Sequence, residues 1–493
     1  MSASTDEASV GPPPKSLQRQ LADKIVQFAP LDEIRILLGE GASVQDVVTQ
    51  GLRPLHYAVY GNNIEVVRLL LLRGSRIDER DDVGYTAVHL ASERGNVEVT
   101  KLLLEQGACV NFYGPKQQRD AVQDYTCDDP LRLAVKNGHF DCAQLLLNAG
   151  ACANTRYFYG PEITLLPITD ILFIKLLLKH GADPNCYSRE GLTPLMKACM
   201  KGDKAMATVH LLLRHGAMVN AYALEKQDLR TPLHYAILSG SVTMVRYMIR
   251  HGSWVNMPET YNRPAPLDLA VLKDQPELVR LLLEHGADPN RVHTYIGSPM
   301  HLVACSRLQN FRLILNLLLD KGGNVNHSPF FSEGGNVKSP LAEYIRTQDE
   351  LDEEVVLTML SHHAQIVLRS PAIDPRGQAR NLPKLYRNYT DLYDLFVDCA
   401  QQIDTSAIRR LELPDEEKEE LIARATNPPT LQHLCRLQVR RALHPITPSK
   451  TDRLPVPALV RRMILFQIAI TPAPARLRRR RTVSLSSNAS SQG

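Results

Sequence analysis

Apolar residues along this chain arrive in bursts with a fixed punctuation. An apolar triplet is followed by two variable residues, a glycine and a small residue. The phrase reads LLLLRGS at Leu69–Ser75, LLLEQGA at Leu102–Ala108, LLLNAGA at Leu145–Ala151 and LLLKHGA at Leu176–Ala182. It continues as LLLRHGA at Leu211–Ala217, YMIRHGS at Tyr247–Ser253, LLLEHGA at Leu281–Ala287 and LLLDKGG at Leu317–Gly323. The glycines at 74, 107, 150, 181, 216, 252, 286 and 322 lie 31 to 43 residues apart. In Ile64–Leu72, Val67, Leu70 and Leu71 recur at helical spacing, which predicts a helix buried on a neighbour. A second phrase precedes each triplet, as in RPLHYAVYGN from Arg53, LTPLMKACMKGD from Leu192 and RTPLHYAILSGS from Arg230. Its prolines at 54, 194 and 232 suit a first helical turn, where a missing N–H costs nothing. Thr193 and Thr231 stand where caps belong. The glycine closes the second helix in a left-handed conformation open to a residue without Cβ. A single helix pair cannot bury its apolar face, so the pattern predicts an all-α stack of pairs.

These phrases resemble the ankyrin repeat, whose marker is Thr-Pro-Leu-His-x-Ala at a period near 33. The resemblance covers Ser16–Leu368, with eight recognisable copies and two weaker ones at the ends. LDEIRILLGEGASV at Leu31–Val44 reads as the tail of a degenerate first copy, and Ser339–Leu368 as a last copy that has lost its glycine. The copy at Gly160–Asn185 has ITLLPITD in place of the Thr-Pro-Leu-His phrase, which leaves its first helix in doubt. Spacing places insertions at Phe112–Asp129, Ala221–Leu229 and His327–Val337. In a solenoid such loops gather on one face, often the binding face; neutral loop variation is the competing reading.

Beyond Leu368 the period stops. Arg369–Arg380 reads as a linker, and Leu392–Cys399 and Pro414–Ala425 as helices. In Asn427–Gln467, Leu431, Leu434, Cys435, Val439 and Ala442 share one helical face, and His444-Pro445 ends that helix. A Leu454-Pro455-Val456-Pro457 turn and a short apolar helix follow. Taken alone, this is a small helical unit whose stripe is either core or docking surface. Thr430-Leu431-x-x-x-Cys435-x-x-x-Val439 resembles the Elongin C-binding box of the SOCS box, and Leu454–Pro457 is similar to the cullin-5-type box. The chain is thereby identified as a member of the ankyrin repeat and SOCS box family. The resemblance implies that Leu431 inserts into an Elongin C pocket, that Leu434, Cys435 and Val439 pack beside it, and that Leu454, Pro455, Val456 and Pro457 select the cullin. Met463 stands where the second box carries a tyrosine, which bears on cullin choice.

Composition alters this picture little. The chain has 493 residues, is 44% apolar and 22% charged, and carries a net charge of +4. That charge is too thin to point to nucleic acid. Nine cysteines without a CxxC pair argue against disulfides or zinc and for a reducing compartment. The polar start lacks a signal-peptide pattern, and no apolar stretch is long enough to span a bilayer. His56, His89, His234 and His301 occupy one repeat position and stay far apart along a stack, so they read as structural. No catalytic residue, metal site or cofactor is expected. The histidines before glycine, at 180, 215, 251 and 285, are placed to meet the last carbonyls of their helices. Trp254, the only tryptophan, reads as packed between hairpins or, if exposed, as a binding anchor. In the basic tail, Arg479-x-Arg481-x-x-Ser484 resembles a kinase site, with a solvated tail or a nuclear-targeting patch as alternatives.

The expected organisation is a disordered stretch at 1–15, an ankyrin-repeat solenoid at 16–368, a linker with helical segments at 369–426, a SOCS box at 427–468 and a basic disordered tail at 469–493. The resemblance implies a non-enzymatic adaptor; the cysteine usage and polar start set its expected place in the cytoplasm, with the nucleus as a second location. Its partners would be Elongin B/C, cullin-5 with a RING protein, and an unidentified protein target, without nucleic acid or membrane. A scaffold or inhibitor uncoupled from ubiquitination is the alternative.

Overall fold

The computed structural model describes residues 16–112, 128–293, 296–327, 339–368 and 377–426. Among them are 24 α-helices and four short strands, so the all-α expectation holds. The chain divides into two compact units, Met1–Ser253 and Trp254–Gly493.

The first unit is a run of helix pairs. It starts with Leu17–Val26 and Leu31–Gly39, and continues through Pro54–Tyr60 and Ile64–Leu72 to Pro232–Ser239 and Val242–Arg250. The middle residue of each triplet carries the core: Leu70, Leu103, Leu146, Leu177, Leu212 and Met248 are all fully buried. Each such side chain contributes roughly 1.5–3 kcal/mol by leaving water. In Ile64–Leu72 the buried set is Val66, Val67, Leu69 and Leu70. Leu71, expected inside, is only half-buried, and Leu72 is 80% exposed, because one further residue turns the side chain 100° off the buried stripe.

All eight punctuating glycines have φ between 81° and 90°, the left-handed cap their position required. Four residues beyond each glycine stands a polar residue that ties adjacent repeats. Asn111 Nδ2 donates to the Gly150 carbonyl at 2.8 Å while its Oδ1 accepts the Cys152 N–H at 2.8 Å. Asn154 does the same for Gly181 and Asp183, and Asn185 for Gly216 and Met218. Each asparagine thus satisfies a donor and an acceptor that the end of the next helix leaves open.

The second unit continues the motif in Pro266–Leu272 with Pro276–Glu284, Pro299–Cys305 with Phe311–Asp320, and Pro340–Thr347 with Glu353–Ser361. Leu282 and Leu318 are fully buried. Asn256 and Asn290 repeat the ladder onto Gly286 and Gly322. The last pair has no glycine: His363 takes its place at φ 66°, and Asn326 Nδ2 still donates to the His363 carbonyl at 2.7 Å. A packed block follows. Ile366–Leu368 pairs in parallel with Ala400–Ile403, and the helices Leu382–Asn388, Thr390–Cys399, Thr405–Arg409 and Asp415–Thr426 bury Leu382, Leu385, Phe396, Ile408 and Leu421. Asp415, Glu416 and Glu417 fill the first turn of the last helix, where negative charge is favoured.

Candidate interaction surface

The recurrent histidines are capping residues. His56, His89, His234 and His301 are at most 2% exposed. In each the ring Nδ1 accepts the N–H of the residue three before it: Arg53, Thr86, Thr231 and Ser298, at 3.0–3.1 Å. The hydroxyls of Thr86, Thr231 and Ser298 also lie within 2.9 Å of that nitrogen. Thr193 caps through its own hydroxyl, but Thr231, expected to do likewise, works through this histidine contact. An Nδ1 that accepts from a buried N–H cannot also hold a proton. Burial, reinforced by Arg80, accordingly holds His89 down at about 3, and burial lowers His56 as well. Asp268 replaces the histidine in the next copy, accepts the Ala265 N–H at 2.8 Å, and is pushed up to about 6 by burial. Of the histidines before glycine, His215, His251 and His285 place Nδ1 within 2.9 Å of the carbonyl four residues back. Among the described residues no cluster of histidine, cysteine or acidic side chains is arranged to hold a metal.

The irregular repeat departs most from the pattern. Where the others have a first helix of seven to ten residues, only Glu162–Leu165 is helical, stopped by Pro167 two residues on. Ahead of it Arg156–Tyr157 and Gly160–Pro161 pair as an antiparallel hairpin with Phe158 and Tyr159 at its tip. Gly160 is required here: φ is 128°, and a Cβ would come within 2.7 Å of the Thr164 hydroxyl.

A buried polar network anchors the hairpin. Arg132 Nη1 donates to both carboxylate oxygens of Glu162 at 2.9 Å, and the Arg132 guanidinium lies 5.1 Å from the Tyr157 ring centre. The Tyr157 hydroxyl donates to Asp129 Oδ2 at 3.3 Å. Glu162 is 2% and Asp129 6% exposed, and burial pushes their carboxyls up to about 7 and about 6. For Glu162 the desolvation outweighs the pull of Arg132. Asp129 Oδ1 and Arg132 Nε are buried without a hydrogen-bond partner.

Two further loops join this hairpin. The Arg189 N–H donates to the Tyr159 carbonyl at 2.9 Å, and the Leu224 N–H to the Gly191 carbonyl at 3.1 Å. Lys226 Nζ reaches the Arg189 carbonyl. The Arg189 guanidinium sits 3.9 Å from the Phe158 ring centre and 5.8 Å from that of Tyr159. Phe158, Tyr159 and Leu224 are 49%, 59% and 45% exposed. Sequence reasoning flagged the missing phrase and the Ala221–Leu229 insertion but not these side chains. The signal was there in Tyr157-Phe158-Tyr159, an aromatic run where a helix was due. Trp254, in the second unit, is 41% exposed and so is only partly packed between hairpins.

Leu431, Leu434, Cys435, Val439, Leu454, Pro455, Val456, Pro457 and Ser484 all lie outside the described residues, as does most of the Phe112–Asp129 insertion. A family model for ankyrin repeats in three copies matches residues 25–114, 55–157, 169–259 and 222–293, together slightly more than half of the chain. A second model, for the SOCS box, matches residues 427–465. Comparison with curated proteins gives no match.

Proposed function

Because the chain belongs to the ankyrin repeat and SOCS box family, we propose that it is the substrate-recognition subunit of an Elongin B/C–cullin–RING ubiquitin ligase. Ankyrin repeats and SOCS boxes are interaction modules, and the pairing suits an adaptor. The observation that carries the reading is the SOCS-box match at 427–465, which begins directly after the helix Asp415–Thr426.

In this account residues 16–368 hold the target, 369–426 join the repeats to the docking module, and 427–468 engage the ligase. Leu431, with Leu434, Cys435 and Val439, fills the Elongin C pocket, and Leu454–Pro457 choose cullin-5. The work is positional. Holding a target on the same assembly as the ubiquitin-charged enzyme makes transfer effectively intramolecular and raises the local concentration of target lysines. A cytoplasmic setting, with Ser484 as a phosphorylation site in the tail, completes the proposal.

Cullin choice is tested by presenting the purified chain, bound to Elongin B/C, to cullin-5 and cullin-2 in parallel. Selective retention of cullin-5, lost on replacing Pro455 and Pro457 by alanine, supports the assignment. Retention of cullin-2 instead overturns the role given to Leu454–Pro457.

A further inference from the structure

We infer that the tips of three consecutive repeats in the first unit form a docking platform for an acidic protein segment that carries an apolar side chain next to its carboxylate. The platform consists of Phe158 and Tyr159 on the hairpin, Arg189 on the next loop and Leu224 on the one after. In this respect the inference deepens the adaptor reading and rests on it, since the segment would belong to the ubiquitination target.

Main-chain hydrogen bonds join the three loops, Arg189 to Tyr159 and Leu224 to Gly191, so their side chains are presented together rather than singly. The hairpin is held from below by Arg132, Glu162, Tyr157 and Asp129, at the expense of two buried carboxyls. A repeat that cuts its first helix to four residues, buries ionisable groups and exposes two aromatic rings departs from local stability rules at three points. Such departures concentrate where a chain is built for binding. Rigid aromatic side chains around a cation are the composition of interface anchors.

Charge selects the occupant. The Arg189 guanidinium is fixed against Phe158, and among the described residues no carboxylate pairs with it. A guanidinium held on an aromatic face keeps its donor fork open, and that fork matches a carboxylate. Glu190, the nearest acid in sequence, is engaged by Lys197 at 3.4 Å. Lys226, whose Nζ reaches the Arg189 carbonyl, adds a second positive charge beside it. Phe158, Tyr159 and Leu224 offer apolar contact on either side of the cation. An extended segment fits because the surface is a ridge of loop tips and not a cavity.

The test uses the full chain co-purified with Elongin B/C and three sets of short immobilised peptides, otherwise randomised, whose fixed centres are Leu-Glu, Leu-Gln and Leu-Lys. The prediction is a preference for Leu-Glu that falls about tenfold or more in a Phe158→Ser, Tyr159→Ser variant. In Arg189→Glu the preference turns toward Leu-Lys. The changes are in side chains, so the joining main-chain bonds remain, and circular dichroism checks that the repeats stay folded. Equal binding of all three sets, or a preference untouched by both variants, overturns the platform. If Elongin B/C fails to co-purify while the Leu-Glu preference persists, the adaptor reading falls and the platform stands. Elongin B/C binding without the preference sinks the platform alone.

Discussion

A single nitrogen of Arg132 donates to both carboxylate oxygens of Glu162 at 2.9 Å, and the acid it holds is 2% exposed. Removing the cation leaves that carboxyl buried with no counter-charge. Above pH 7, where the carboxyl is ionised, Arg132→Ala is therefore expected to destabilise the first unit by about 3 kcal/mol or more, read from the urea midpoint. Burial raises Glu162 from 4.5 to about 7, so the folded chain binds this proton more tightly than the unfolded one. The corresponding stability is complete below pH 4.5 and lost as pH rises through 7. Glu162→Gln should thus equal or exceed the wild type at alkaline pH and lose that advantage in mild acid. An unchanged pH profile in Glu162→Gln would contradict the assignment.

His89 pulls the other way. Its folded pKa lies near 3, below the ordinary 6.5, so its contribution is complete above 6.5 and lost as pH falls toward 3. Between neutral pH and about one unit below 6.5, this histidine alone costs about 1 kcal/mol. His89→Ala should start less stable, because the Thr86 N–H loses its acceptor, and should respond less adversely to acid. A His89→Ala variant whose midpoint changes with acid just as the wild type's does would refute the capping role.

At the end of the repeats, Asn326 holds the His363 carbonyl and accepts the Gln365 N–H, both at 2.7 Å. Asn326→Ala deprives both groups of their partner and should cost roughly 2 kcal/mol. His363→Gly relieves the left-handed backbone and should stabilise by about 0.5–1 kcal/mol. Protease resistance of the second unit reads both changes, in opposite directions. Movement in the same direction would show that the ladder is not what closes this repeat.

The repeat period was legible because its signal is redundant. Every copy buries the middle of its triplet and turns at its glycine, so misreading one copy changes nothing. The ladder residues were missed because a lone Asn four positions beyond a glycine looks like any polar loop residue. Its role shows only when the next repeat brings an open carbonyl and N–H to it. The degenerate last copy illustrates the same point. His363 replaces a glycine that sequence reasoning took as lost, and the geometry survives because histidine tolerates a left-handed φ at modest cost. The platform around Arg189 draws on three repeats; the aromatic run Tyr157-Phe158-Tyr159 hints at it within one, but the contacts of Arg189 and Leu224 show only when the next two loops are brought beside it. The SOCS box was legible from the resemblance alone, and the Elongin and cullin roles proposed within it rest on that resemblance; the periodicity of Leu431, Cys435 and Val439 says only that an apolar stripe exists.

The most direct measurement is co-purification of the full chain with Elongin B/C, wild type against a Leu431→Pro, Cys435→Phe variant, with circular dichroism recorded on both. The account predicts a stable wild-type complex that is lost in the variant while the helical signal of the repeats persists. A folded wild-type chain that captures no Elongin B/C would contradict it and leave a repeat scaffold whose last helices serve another purpose.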